Sequence, residues 1–129
     1  MGAGVYFNQK GDFDATFKFF NRAKNKTIEQ VLTKYAEEGL NALIEATPVD
    51  SGITRRCWSY QIRKISPGKW TITYNNSNVV NGFSVVIGLQ YGHATRNGGW
   101  VEGVDFINPA IQPIFNNIAE AAWVELTSK

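Results

Sequence analysis

The spacing of apolar residues changes once along this chain, from a helical period to an alternating one. Before Pro48, apolar side chains recur every three or four residues, which predicts helices. After Cys57 they recur at every second residue, which predicts strands with one buried face. The change predicts an α+β fold: an N-terminal helical region packed on a three- to four-stranded antiparallel sheet, followed by a C-terminal helix.

The first part of the chain predicts a short helix after a flexible arm at residues 1–11. Asp12 or Asp14 is suited to cap this helix, and Phe13, Phe17 and Phe20 follow at positions i, i+4 and i+7. That spacing places the three phenylalanines in one apolar stripe.

A longer helix is predicted from Asn25 or Thr27 to Ala46. Gly39 interrupts it at a cost of about 1 kcal/mol relative to alanine, which indicates the close approach of another backbone. Pro48 ends the helix because the residue before a proline is pushed out of the α region. The apolar stripe consists of Ile28, Val31, Leu32, Tyr35, Leu40, Leu43 and Ile44.

Three strands are predicted after Cys57, with a turn at residues 66–69 and a polar loop at residues 75–82. The core-facing residues are predicted to be Trp58, Tyr60 and Ile62 in the first strand, Trp70, Ile72 and Tyr74 in the second, and Phe83, Val85, Ile87 and Leu89 in the third.

Residues 91–105 form an unusual connection, with four of the 12 glycines and the only histidine of the chain. A connection of this length is usually functional or disordered, and a short extra strand is predicted around Trp100 and Val101. Asn108 and Pro109 are suited to start the last helix, although Pro113 shifts its predicted regular part toward Gln112. Its stripe is Ile111, Phe115, Ile118, Ala122 and Leu126.

The composition of the chain narrows the possible classes of protein. With 129 residues, of which 43% are hydrophobic and 19% charged, residues 1–129 are expected to fold as a single domain. No apolar run approaches the roughly 18 residues that cross a bilayer, so no membrane is expected as a partner. The single cysteine excludes an intrachain disulfide, and the net charge of +2 does not by itself argue for nucleic acid.

Catalytic chemistry is not indicated. His93 is the only histidine, which leaves no cluster with zinc-ligand spacing. A nucleophile pair of Cys57 with His93 is weighed against a passive, small hydrophobic cysteine beside an aromatic residue, and the second interpretation is favoured. Gly98 and Gly99 lack the spacing of a phosphate-binding loop. We therefore expect no enzyme, no cofactor and no metal.

Two motifs resemble a known family. They are Pro48-Val49-Asp50-Ser51-Gly52 followed by Thr54-Arg55-Arg56, and Phe106-Ile107-Asn108-Pro109-Ala110. Together with Tyr91-Gly92, they resemble the head–tail joining, or tail-completion (neck), proteins of long-tailed bacteriophages. Two features depart from the commoner pattern: Cys57-Trp58 stands where a serine-led strand is usual, and the stretch Asn97-Gly98-Gly99-Trp100 varies.

The resemblance implies a non-enzymatic virion protein made in the host cytoplasm. It implies a homo-oligomeric, six-fold ring in the neck, between portal-side connector proteins and the tail tube or terminator proteins, with genome DNA passing through the ring. Because residues 91–105 are long, glycine-rich and carry Trp100, the expected assembly surface comprises this connection and the N-terminal arm, with Tyr91, His93, Arg96, Trp100, Phe13 and Phe17 as its residues.

A second hypothesis is a monomeric accessory module that contacts nucleic acid. Basic residues flank aromatic ones from Arg55 to Lys64, as in surfaces that stack bases. The alternation argues against this interpretation, because Trp58 and Tyr60 are predicted on the core face and Arg63 on the opposite face.

Overall fold

A three-stranded antiparallel sheet, packed against two long helices, lies at the centre of the structure. The computed structural model describes residues 12–18, 25–48, 53–95 and 97–127. The α+β class predicted from the sequence is confirmed. The elements are β1 (Asp12–Lys18), α1 (Asn25–Ala46), α2 (Ile53–Arg56), β2 (Trp58–Ser66), β3 (Lys69–Asn76), β4 (Val79–Val80), β5 (Phe83–Ser84), α3 (Val85–Tyr91), β6 (Gly92–Ala94), β7 (Trp100–Glu102) and α4 (Ile107–Thr127).

The predicted first helix is wrong, because Asp12–Lys18 form strand β1. Residues four apart share a face in a helix and also in a strand, so the spacing of Phe13 and Phe17 fits both structures. In the strand, Ala15 joins them on the inner face. Phe20 and the predicted arm at residues 1–11 lie outside the described residues.

The sheet has the order β1-β3-β2, and both pairs of strands are antiparallel. Trp58, Ile72 and Tyr74 are buried against the helices, as the alternation predicts. Tyr74 of β3 pairs directly with Phe13 of β1 on one side and with Tyr60 of β2 on the other. The inner faces of β2 and β3 are therefore confirmed.

The predicted third strand is wrong, since Val85–Tyr91 form helix α3. Nearly every residue of this segment is apolar, so an alternating pattern can be found in it even though it is helical. The buried residues are Val86 and Gln90, with Leu89 partly buried, which is the i, i+3, i+4 pattern of a helix. Strand β1 takes the third place in the sheet.

Helix α1 meets the sheet where Gly39 faces Tyr74. A Cβ atom on Gly39 would lie 2.8 Å from Cδ1 of Ile111 and would overlap the Tyr74 hydroxyl group. That hydroxyl donates to the carbonyl oxygen of Ala36 at 2.8 Å. The close approach predicted at Gly39 therefore exists, but side chains make it rather than a backbone.

The end of α1 is tied to the start of β2. The Trp58 indole Nε1 donates to Thr47 Oγ1 at 2.7 Å, and Thr47 Oγ1 donates to the Leu43 carbonyl at 2.5 Å. The Arg55 guanidinium donates to the carbonyls of Thr47 and Glu45, which offsets the negative end of the helix. Residues 49–52 lie outside the described residues, and α2 precedes β2.

Helix α4 starts at Ile107 and continues through Pro113, so the predicted start near Gln112 is wrong. Ile111 and Ile118 are fully buried, and the Phe115 ring packs edge-on against Phe17 with centroids 5.7 Å apart. No helix in the described ranges is long and apolar enough to cross a membrane.

We expect Leu43→Ala to lower the free energy of unfolding by about 2–5 kcal/mol, because Leu43 is fully buried between α1 and the sheet. Urea melts measure this change. Ile65→Ala is the matched control, since Ile65 is exposed and should change stability by no more than about 0.5 kcal/mol. Equal midpoints for both variants would contradict the assigned core.

Ile87 was predicted in the core but is only half-buried.

We expect Gly39→Ala to destabilise the protein by about 1–3 kcal/mol, the usual cost of overpacking. Alanine is the better helix former by about 1 kcal/mol, but its Cβ would collide with the Tyr74 hydroxyl and Ile111. Asn41→Ala is the control. Position 41 is exposed on the same helix, so alanine there improves helix propensity without colliding with another side chain. If both variants raise the urea midpoint, the contact is not as close as described.

Candidate interaction surface

Exposed large apolar side chains concentrate in one part of the described chain. Of nine such residues, seven lie between positions 79 and 104. We call these seven the apolar hairpin surface: Val79, Val80, Phe83, Tyr91, Trp100, Val101 and Val104. Single exposed apolar residues are ordinary, whereas contiguous apolar patches mark interaction sites. The concentration of these seven residues within 26 positions makes this part of the chain the candidate.

The first part of this surface is the β4–β5 hairpin. Val80 pairs with Phe83 across a two-residue turn in which Asn81 and Gly82 both have positive φ. This is the turn that short hairpins prefer. Phe83 is 78% exposed. The Val85 N–H donates to the Asn78 carbonyl at 3.0 Å and closes the base of the hairpin.

The second part is the β6–β7 hairpin, which confirms the extra strand predicted around Trp100. His93 pairs with Val101, and Ala94 pairs with Trp100. Its turn is held by the Thr95 N–H, which donates to the Gly99 carbonyl at 2.9 Å, and by the Gly99 N–H, which donates to Thr95 Oγ1 at 3.0 Å. The connection at residues 91–105 thus contains an ordered hairpin.

Trp100 lies directly over Gly92. A Cβ atom on Gly92 would lie 2.7 Å from Cζ2 of the indole, and the φ of Gly92 is +97°, which disfavours other residues. The indole is nevertheless 59% exposed. One side of the indole therefore packs on the Gly92 backbone, while much of the residue is accessible to a partner.

Gln90 anchors both ends of the second hairpin to the start of α4. Its Nε2 donates to Asp105 Oδ1 at 2.7 Å, and its Oε1 accepts from the N–H groups of Phe106 and Ile107, each at 3.2 Å. Asp105 Oδ1 also accepts from the Asn108 N–H at 3.2 Å. Pro109 has no N–H, so these contacts satisfy every unpaired donor of the first helical turn.

The residues predicted for assembly do not all lie together. Tyr91, His93 and Trp100 belong to α3 and the β6–β7 hairpin and are exposed. Phe13 and Phe17 are only 3% and 8% exposed, so in this subunit they are core residues and not part of an exposed surface. Because the two residues are four apart on strand β1, their side chains lie on the same face, which packs against the core. Arg96 lies outside the described residues.

Val79, Val80 and Phe83 were not predicted as surface residues. The sequence pattern assigned the first two to a polar loop and Phe83 to a buried strand. The dipeptide Asn81-Gly82 between apolar pairs is a strong hairpin signal, and it was the clue to this part of the surface.

The other candidate residues are placed apart. Cys57 lies in the turn before β2, whereas the His93 ring faces the Gly88 carbonyl with Nδ1 3.3 Å away, and no hydrogen bond joins the two described side chains. Within the ranges that the structure describes, no three His, Cys, Asp or Glu side chains are grouped as metal ligands.

Burial, followed by the charge of Glu37 and a hydrogen bond to it, raises the pKa of Tyr60.

The aromatic and basic residues around β2 do not form a stacking platform. Trp58 is buried, and Tyr60 shares its inward face. Arg63 is on the opposite face, and Arg55 is engaged with the end of α1. A surface that stacks nucleic-acid bases needs exposed aromatic rings beside its cations.

Comparisons with protein-family models, with curated proteins and with solved structures find no match to this chain.

We expect Gln90→Leu to destabilise the protein by roughly 2–4 kcal/mol, because it strands two buried N–H groups at the start of α4. Hydrogen exchange should show the amides of residues 106–108 losing protection first. Gln112→Leu is the control, since the Gln112 amide contacts only the exposed Asn116. Unchanged protection in the Gln90 variant would show that other groups cap α4.

Proposed function

We propose that this protein is a structural subunit of the neck of a long-tailed bacteriophage, joining head to tail. The observation that carries the proposal is the apolar hairpin surface, on which seven large apolar side chains are exposed within 26 residues, from 79 to 104. Such a surface indicates a partner protein, because burying it against a neighbour removes apolar area from water. The resemblance of the two motifs supports the neck as the place of that partner.

The residues of the two motifs that the structure describes have structural roles in the fold, which suits a family of building blocks. Thr54 holds the Asn76 and Asn78 side chains through its carbonyl and hydroxyl oxygens, at 2.8 Å each. Phe106 and Ile107 begin α4 under the Gln90 side chain. A family that shares these residues shares a scaffold, while the hairpins between the motifs are free to fit particular neighbours.

Trp100 is the residue best suited to anchor the contact. Tryptophan is among the residues enriched at energetic centres of interfaces, and the indole is already held against Gly92. Little conformational entropy is lost when a fixed side chain is buried by a partner. In the proposed ring, this surface contacts the neighbouring subunit or the adjoining connector and tail proteins.

We expect Trp100→Ala to weaken assembly by about 2 kcal/mol per contact, with little loss of subunit stability. The measurement is complementation: cells infected with the parent phage, carrying a stop codon in this gene, supply tailless heads and free tails. Wild-type protein should join them, and the variant should leave them separate, as counted by electron microscopy.

Ile53→Ala is the matched control, because Ile53 is another exposed apolar residue but lies outside the apolar hairpin surface. It should join heads to tails as wild type does. If Trp100→Ala lowers the melting temperature yet still joins heads to tails, Trp100 serves the fold and not the interface. If wild-type protein does not restore joining, the proposed function is wrong.

A further inference from the structure

Lysines cluster at one end of the subunit, and two carboxylates line a groove at the other end. Strand β2 has nine residues, about 30 Å in antiparallel geometry. Its start is held at the C-terminal end of α1 by the Trp58–Thr47 hydrogen bond, and Tyr60 already contacts Glu37, further back along α1. The β2–β3 turn therefore lies at the end of the subunit remote from the C-terminus of α1.

The remote end is a basic tip, which we define as Lys18, Lys64, Ile65 and Lys69. Lys18 pairs directly with Lys69 across β1 and β3, and like charges in that position are destabilising. Ile65 lies at a bulge between Lys64 and Ser66, without a partner in the β-ladder, and is 52% exposed. The tip thus presents one apolar side chain among several cations.

The opposite end has an acidic groove between α1 and α4. The groove has a volume of about 530 Å³, small side chains from Ala42, Ala46 and Ala110, and carboxylates from Glu45 and Asp105. The Glu45 side chain is exposed in the last turn of α1, where Arg55 donates to the Glu45 carbonyl oxygen, and Asp105 Oδ1 accepts from Gln90 and Asn108. Small side chains leave room for an aliphatic group, and the two carboxylates favour a cation beside it.

We propose that the basic tip of one subunit docks into the acidic groove of a second copy of this chain. The carboxylates that line the groove are opposite in charge to the lysines of the tip, and the alanines of the groove leave room for the Ile65 side chain. Because they lie at opposite ends of one subunit, they meet only between copies. A contact between two different surfaces is head-to-tail and closes into a ring when its rotation permits. This inference rests on the proposed ring and specifies its subunit contact.

The test is a pair of charge reversals, Lys64→Glu and Glu45→Lys, followed by sedimentation velocity over a range of protein concentrations. Each variant alone places like charges at every contact, and its self-association should weaken at least about tenfold relative to wild type. In an equimolar mixture, the contacts alternate between the original pair and the reversed pair. Assembly should therefore return in the mixture.

Two further variants act as controls for net charge. Lys34→Glu and Glu38→Lys make the same changes in charge on exposed positions in the middle of α1, and they should associate as wild type does. Ile65→Asp should weaken association, because it places a carboxylate in the acidic groove. Urea midpoints close to wild type for all five variants are expected, because all five residues are exposed.

The contact is refuted if wild-type protein remains monomeric at all concentrations, if the single reversals associate normally, or if the mixture fails to recover. Open chains that depend on Lys64 and Glu45 would support the contact while contradicting the closed ring of the proposed function. Closed rings that join heads to tails but ignore both reversals would support the function and overturn the contact.

Discussion

The position of the β6–β7 hairpin, which carries Trp100, depends on one buried side chain. Gln90 on α3 accepts from two backbone donors at the start of α4 and donates to Asp105, so α3, α4 and the connection before α4 meet at a single amide group. Buried backbone donors without partners are costly, which explains why a polar residue occupies this interior position. The β6–β7 hairpin leaves and returns within this cluster, and the cluster therefore sets the direction in which Trp100 is presented.

Aromatic residues are divided between two tasks in this fold. Phe13 and Tyr74 stack with centroids 5.3 Å apart in the core, and burial raises the pKa of the Tyr74 phenol. Phe83 and Trp100 are equally large but remain exposed on short hairpins. The core rings stabilise the isolated subunit. The exposed rings add little to it, which is consistent with a contribution that is realised only when another protein covers them.

Charge is distributed along the length of the subunit. Lysines face one another at the β2–β3 end, while carboxylates border a groove at the C-terminal end of α1. The two facing lysines do not stabilise a solitary subunit, because like charges repel. Of the two carboxylates, Asp105 accepts hydrogen bonds at the start of α4, whereas the Glu45 side chain is exposed. This distribution and the apolar hairpin surface are the two features on which the proposed contacts with copies of this chain and with other proteins rest.

The sequence alone determined the fold class and its best periodic segments. Residues 25–46 keep a helical period on both sides of Gly39, and β2 and β3 alternate around a turn, so their structures followed from the local pattern. Phe13 and Phe17 are four residues apart, which fits a helix and a strand equally, and only pairing with β3 decided for the strand. Val85–Tyr91 is apolar at nearly every position, and its helix was decided by burial of Val86 and Gln90. The exposure of Trp100 was predicted from the sequence, because it lies in a long connection that is rich in glycine. The contacts of Gln90 and the charged groups at the two ends of the subunit were not predicted, because they depend on residues that are far apart in the chain. A local sequence pattern carries no information about contacts between such residues.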